Sequence, residues 1–414
     1  MSVNDWTDDR LTRAALGSLL RFSAAPVLKL AAEVGPAEAW QRLKAGCPDG
    51  GASAAAGQGA STDEPTESGR EPARVNDTPG GEAFAAWAAS IVPECVAQQT
   101  EQAGLRFLIP GDAEWPVDLA DLEVCSVSRM GGVPVGLWVG GAGHLSDWTR
   151  DAVAMVGSRA ATRYGESIAM RMASELAGDP ELAPVTVVSG GAFGIDAASH
   201  RGALLVNGPT VGVFANGLDQ PYPLGNSALV ASLRQHGLLV SELPPGATPT
   251  KAGFLQRNRI IAALSQGTVV VEAALRSGAR NTASWAGAMG RVVMAVPGPV
   301  TSAMSVTPHN LIRDGEAVLV ASSDDVRALV RPIGETSEPD GLGPSRPLDD
   351  LGGDAVVVHE ALPSRGAMTL SEVVLASGVP VQRCLDALGK LARRGLAKMD
   401  EQGRWRVRRV VAEG

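Results

Sequence analysis

VAMVGSRAATRYGESIAMRMASELA, residues 153–177, reads as one strand followed by one helix. Its first four residues are apolar, Gly157, Ser158 and Arg159 make a turn, and apolar positions then recur at helical spacing. The same unit repeats along the chain. Short, largely β-branched runs stand at 152–157, 185–190, 210–215, 238–242, 268–273, 292–298 and 317–322, and most of the intervals between them carry helical periodicity. Strands alternating with helices predict βαβ units, whose parallel sheet is covered on both faces. The expected class is therefore α/β, with a Rossmann-like, mostly parallel sheet as its core. Such sheets take ligands at the carboxyl ends of their strands, where the Gly, Ser and Arg residues of this region collect.

Outward from that core, the pattern changes on both sides. LTRAALGSLLRF in the N-terminal stretch 1–45 has helical spacing, and Pro26 and Pro36 stand where new helices can start. Residues 46–82 hold almost no large apolar side chain and are expected to be a flexible insertion. The core is expected over 83–332, opening with a helix in EAFAAWAASIVPECVAQQTEQAG. A Pro/Gly/acid-rich linker, 333–353, precedes a last domain at 354–414. Three helical segments and two short strands around Gly403 predict a winged helix there, with second and third helices at 369–377 and 380–394.

The bulk composition excludes several classes. The chain has 414 residues, 45 % hydrophobic and 20 % charged, as a globular protein with a sizeable core does. No run approaches the roughly 20 apolar residues of a membrane span, and the start, MSVNDWTDDR, has no apolar core of a secretory signal. Four cysteines lie far apart without zinc spacing, which points to free thiols in a reducing cytoplasm. A formal charge of −9 speaks against nucleic acid only if charge is evenly spread. It is not, since residues 389–414 hold eight Lys or Arg against three acids.

Three loops carry the chemistry. At Gly157-Ser158-Arg159, glycine admits a close ligand, the following helix start favours an anion, and Arg159 can grip a phosphate with two donors. In SGGAFGIDAASH (189–200), Ser189, Gly190, Gly191 and Gly194 can form a backbone nest. Asp196 and His200 share a helix face; a loop-bracing hydrogen bond is favoured over an acid–base pair, and no Ser or Cys nucleophile accompanies them at a recognisable spacing. In the third region, Arg257-Asn258-Arg259 is expected to open a helix, where cations call for an anionic ligand, and Ser277, Gly278 and Thr282 make a further small-residue loop. Several anion-ready loops on neighbouring strand ends favour a polyanion. Neither GxxxxGK[ST] nor GxGxxG occurs, so no nucleotide cofactor is expected. Aromatics are only 4 %, so backbone electrostatics should outweigh base stacking.

Taken in order, VGSR…YG, SGGAFGIDAASH, GLDQPYPLGN, SELPPG, FLQRNRII and VVVEAALRSGARNTA…AVPG resemble the DNA-processing protein A family (DprA, also called Smf) over about 105–322. The resemblance implies a homodimer that binds and protects single-stranded DNA and helps load the recombinase RecA during natural transformation or recombination. It implies no enzyme activity, a helical N-terminal domain of the SAM or helix-hairpin-helix kind, and a winged-helix C-terminus. Carried over by position, Arg159, the Ser189–Gly194 loop, Lys251, Arg257 and Arg259 would contact DNA. The chain departs from the family's usual motifs at Ser199, at Leu255-Gln256, at Arg280-Asn281 and at Pro308–Ile312. The Arg280 change adds a donor.

Two rivals remain. Nucleoside-monophosphate phosphoribohydrolases share a related core, but their Gly-Gly element is missing before Glu272, which then reads as a structural carboxylate. A winged-helix transcription regulator would read duplex DNA, yet Gln382, Arg383 and Asp386 make a mixed face for a recognition helix. Since all the loops lie inside it, the core at about 105–332 is expected to bind DNA without either flank.

Overall fold

Every residue of β5 (Ala152–Val156) is apolar and buried, so the strand needs neighbours on both edges and cover on both faces. In the computed structural model, which describes residues 6–46, 82–330, 353–364 and 366–408, it has both. The chain order around it is β1 (Arg106–Leu108), a hairpin of β2 (Ser126–Val127) and β3 (Met130–Gly131), β4 (Leu137–Gly140), α5 (Leu145–Arg150), β5, α6 (Arg163–Gly178), β6 (Thr186–Ser189), α7 (Ile195–Leu205), β7 (Thr210–Phe214), α8 (Ser227–His236) and β8 (Leu238–Ser241). Then come α9 (Lys251–Ala263), β9 (Gly267–Val270), α10 (Gly278–Ala288), β10 (Val292–Ala295), α11 (Val306–Arg313), β11 (Val318–Leu319) and α12 (Ser323–Val330).

The described residues form a nine-stranded sheet in the order β1-β4-β8-β7-β6-β5-β9-β10-β11. Strands β5 to β8 and β9 to β11 run parallel, while β1 and β4 pair antiparallel at one end. Alternate residues of β5 serve opposite layers. Ala154 and Val156 pack with Ile260, Ile261 and Trp285 from α9 and α10, and Val153 and Met155 pack with Met172 and Leu176 of α6. The chain leaves β5 toward β6 on one side, whereas β9 lies on its other side, so the strand order reverses between β5 and β9. Ligands of open α/β sheets sit at such a reversal.

Four helices precede the sheet: α1 (Asp8–Val34), α2 (Pro36–Ala45), α3 (Glu82–Ser90) and α4 (Pro93–Gln102). Pro36 does start a helix, but Pro26 lies inside α1. Nor are these helices separate from the core. Leu16 and Leu19 of α1 pack in one cluster with Val135 and Leu243 of the sheet region. Arg10 pairs with Asp112 at 2.7 Å, and Gly17 gives room to Trp138, whose ring would lie 2.6 Å from any added Cβ. The molecule divides into units Met1–Ser337 and Glu338–Gly414, so the expected independence of 1–45 is corrected by this shared packing.

In the second unit, α13 (Gly353–Ala361), α14 (Leu370–Ser377) and α15 (Val381–Arg393) precede a ribbon of β12 (Ala397–Met399) and β13 (Trp405–Val407). Val358, Val373, Cys384, Leu388 and Leu391 make its own core. A capping box between Thr369 and Glu372 starts α14, and Gly378 in the left-handed region ends it. The element order is the one expected from sequence. The segments 46–82 and 333–353, expected to be a flexible insertion and a linker, fall outside the described residues apart from their end residues 46, 82 and 353.

Candidate nucleic-acid interface

The loops after β5 and β9 and the start of α9 meet over the strand reversal. They enclose a cavity of about 670 Å³ whose wall includes Gly157, Ser158, Arg159, Lys251, Asn258 and Thr282. Ser277, Gly278, Arg257 and Arg276 also line it. Arg159, Lys251 and Arg276 are exposed and have no salt bridge among the described residues, while Asp196 is the acid on the wall. Burial raises the Asp196 pKa against the opposing pull of Arg257, which weakens its standing as a fixed negative charge. The cavity is thus biased toward anions.

Each candidate has a definite place. The Ser158 amide donates to the Glu272 carbonyl at 2.6 Å, and its hydroxyl accepts from Ala160 N within the turn. Arg159 projects outward, its guanidinium 4.8 Å from the ring centre of Phe254. In the second loop, Ser189 is fully buried and donates to the Met155 carbonyl at 2.6 Å, so this hydroxyl supports the strand and is not offered to a ligand. Gly190 lines a neighbouring recess, and Gly191 and Gly194 hold positive φ values of 69° and 73°. A Cβ at Gly194 would stand 2.2 Å from the Ser158 carbonyl, so glycine here lets the first two loops touch. Asp196 braces this loop through Ala192 N at 3.4 Å. His200 is bonded to Thr210 Oγ1 at 2.8 Å, so the two make no acid–base pair.

The largest correction concerns Arg257-Asn258-Arg259. Helix α9 opens at Lys251 under a Thr250 cap, so this triplet lies in its interior rather than at its start. The free positive pole belongs to Lys251, which is exposed. Arg257 is buried and donates to the Gly190 carbonyl at 2.8 Å and to that of Val213, fastening the second loop from beneath. Burial lowers its pKa to about 10, so it stays charged at neutral pH. Asn258 links α9 to α10 through Asn281 Oδ1 at 3.2 Å. Arg259 is fully buried, bonded to Glu242 and to the Gly132 carbonyl, and cannot meet a phosphate in this conformation.

Around α10, Ser277 is the N-cap and accepts from Ala279 N at 3.3 Å, Gly278 is exposed, and Thr282 is buried. Arg280 spends its charge on Glu316 at 2.9 Å, so it is not the extra donor expected. Glu272 is a structural carboxylate: Oε1 accepts from Thr162 Oγ1 at 2.7 Å and Oε2 from Thr162 N at 2.8 Å, tying the end of β9 to the start of α6.

Sequence reasoning missed two groups. Arg276 precedes the α10 cap and extends the cationic rim; its place next to the Ser277 cap was the available signal. Phe193, Tyr222 and Phe254 meet with Arg159 and Asn216 around an adjoining recess of about 90 Å³. Phe193 and Tyr222 are exposed, and the Tyr222 and Phe254 rings lie 5.8 Å apart. A low average aromatic content hides such clustering.

The family model for DNA recombination-mediator protein A matches residues 106–331. A DNA processing protein DprA of Mycobacterium tuberculosis is 46 % identical over 316 residues, covering 75 % of this chain and 78 % of that protein. Protein Smf of Escherichia coli is 37 % identical over 284 residues, covering 65 % and 72 %. The X-ray structure of Streptococcus pneumoniae DNA processing protein A aligns at a TM-score of 0.57 with 27 % identity, over 80 % of this chain and 99 % of that one.

Proposed function

Because this chain belongs to the DNA recombination-mediator protein A family, we propose that its α/β core binds single-stranded DNA, holding phosphates at the β5/β9 reversal and a base beside them. The observation that carries this reading is the exposed set Arg159, Lys251 and Arg276 around one cavity, adjoining the Phe193–Tyr222–Phe254 recess. Unpaired cations supply electrostatic attraction to a backbone. Exposed rings supply stacking that every base can use. A duplex keeps its bases stacked and cannot offer one to the recess, so the single strand is the better substrate.

The same reading assigns RecA as protein partner and a homodimer as the working form, protecting single strands and helping RecA onto them in natural transformation or recombination. A dimer doubles the phosphate sites along one strand. Strand β11 supports it, since Val318 and Leu319 are 47 % and 49 % exposed at the open sheet edge. The reading needs no reaction, and Glu272, the carboxylate of the phosphoribohydrolase alternative, has both oxygens engaged by Thr162. Among the described residues no helix is long and apolar enough to cross a membrane.

Titration of the purified protein with oligo-dT and with a matched duplex, at two salt concentrations, tests the proposal. Tighter, salt-dependent binding of oligo-dT is expected. Displacement of bound oligo-dT by matched duplex as readily as by unlabelled oligo-dT would overturn it, and release of free base from a nucleotide would favour the enzyme alternative.

A further inference from the structure

We propose that the β12–β13 ribbon of the second unit grips the sugar-phosphate backbone of a DNA duplex, while α15 takes no part in reading bases. The register of the ribbon sets Lys398 directly opposite Arg406. Like charges facing each other across an antiparallel pair are destabilising. Arg408 follows Arg406 on the same side of the strand, about 7 Å further along. Both flank Val407, which with Trp405 turns toward the unit's core. Alternation along the strand therefore puts the cations on the outer face and the apolar residues on the inner one.

That outer face is uncompensated. Arg404 is tied to Asp400 at 3.1 Å, which uses the one acid in the run 397–400. Glu401 lies in the turn, and Lys398, Arg406 and Arg408 are exposed with no salt bridge among the described residues. A polymer of regularly spaced phosphates relieves the repulsion and releases its own counterions. The ring of Trp405 is half-buried against the core, so the outer face has no aromatic surface for an unstacked base. That favours a duplex backbone over a single strand.

The first two turns of the third helix, which a groove reader turns toward base edges, expose Val381, Gln382, Leu385 and Asp386, two of them apolar and one acidic, while its exposed Lys390 and Arg393 stand in the last turn. Arg383 is held by Asp354 at 2.5 Å. Contacts to phosphates alone carry no sequence information, so the ribbon should bind all duplexes alike. The ribbon belongs to the second unit and the single-strand site proposed above to the first, so the two share no residue.

The test uses the full chain, a blunt duplex and oligo-dT, followed by fluorescence anisotropy across salt concentrations. Lys398→Gln with Arg406→Gln should weaken duplex binding about tenfold or more and flatten the log–log salt slope by about 1.8, or about 0.9 per contact. Oligo-dT affinity should move less than about threefold. Arg408→Gln alone should remove about 0.9 of the slope, and Gln382→Ala should leave duplex affinity within about twofold. An unchanged duplex affinity, a parallel loss for oligo-dT, or a larger loss from Gln382→Ala would each overturn the proposal. Failure of the core reading would look different: the unaltered chain would not hold oligo-dT, while the ribbon variants would still lose duplex.

Discussion

Arg259 Nη2 lies 2.5 Å from Glu242 Oε1, and both side chains are closed off from solvent. Burial pushes the Glu242 carboxyl up and the Arg259 guanidinium pulls it back down. Removing one partner strands a buried charge, so Arg259→Ala should cost about 3–5 kcal/mol of stability in denaturant unfolding. Single-strand affinity of the molecules that stay folded should change by less than about threefold. A variant of native stability that has lost DNA would return Arg259 to the interface.

The exposed cations should behave in the opposite way. Arg159→Ala, Lys251→Ala and Arg276→Ala should each leave the melting temperature nearly unchanged and lower the salt slope for oligo-dT by about 0.7. Loss of about 1 kcal/mol per contact corresponds to roughly fivefold weaker binding. Unchanged slopes in all three would move the DNA away from the β5/β9 reversal.

Stacking leaves a different signature. Phe193→Ala or Tyr222→Ala should weaken oligo-dT binding by about 1–3 kcal/mol with no change of slope, because no charge is removed. A binding loss confined to one nucleotide type would instead mean hydrogen-bond readout in the recess.

His200 makes stability depend on pH. Burial, aided by Arg257, lowers its pKa from 6.5 to about 3, so the folded chain keeps it neutral. Thr210 Oγ1 donates to the Val187 carbonyl, so it accepts from His200 Nδ1–H. Between pH 6.5 and about 3 the unfolded chain binds a proton that the folded chain does not, and stability falls as pH falls. The slope is about 1.4 kcal/mol per unit. Asp196 and Glu242, raised in the fold, contribute with the opposite sign between their unfolded and folded pKa values, and soften the acid end. His200→Asn, which keeps a donor for Thr210, should remove the histidine slope in unfolding measured from pH 7 to 5. An unaltered slope would show that His200 takes up a proton in the folded chain.

Trimming to 105–332 should not yield a stable DNA-binding core, although the sequence pattern alone suggested that it would. Helix α1 covers Trp138 and Leu243, and α4 supplies the Thr100 hydroxyl that accepts from Trp138 Nε1 at 2.9 Å. Burying one large apolar side chain is worth about 1.5–3 kcal/mol, so losing this layer exceeds a typical stability margin. Calorimetry on 82–337 with and without residues 1–46 checks this; equal melting temperatures would show that α1 is dispensable.

The repeating strand and helix pattern, the parallel sheet and the glycine loops at strand ends were legible in sequence because they are local. Val153 to Val156, Gly157 and the Ser277 cap announce themselves through periodicity and backbone preference within a few residues. The union of α1 with the sheet was not legible, since Gly17 and Trp138 are far apart in the chain and each reads as ordinary helix or strand.

The sequence by itself determined that this chain folds as an α/β core with anion-ready turns, and it singled out Arg159 from its turn and Lys251 by family resemblance, both of which the fold leaves exposed at the cavity. Only the tertiary structure decided which cations face outward. Arg159, Arg257 and Arg259 are the same residue type, each preceded by a polar neighbour, but under the Thr250 cap α9 starts six residues before Arg257. That start turns Arg257 under the Gly190 loop and Arg259 onto Glu242, while leaving Lys251 at the rim. A guanidinium's role depends on whether water or a buried carboxylate surrounds it, and burial is a property of the packed whole.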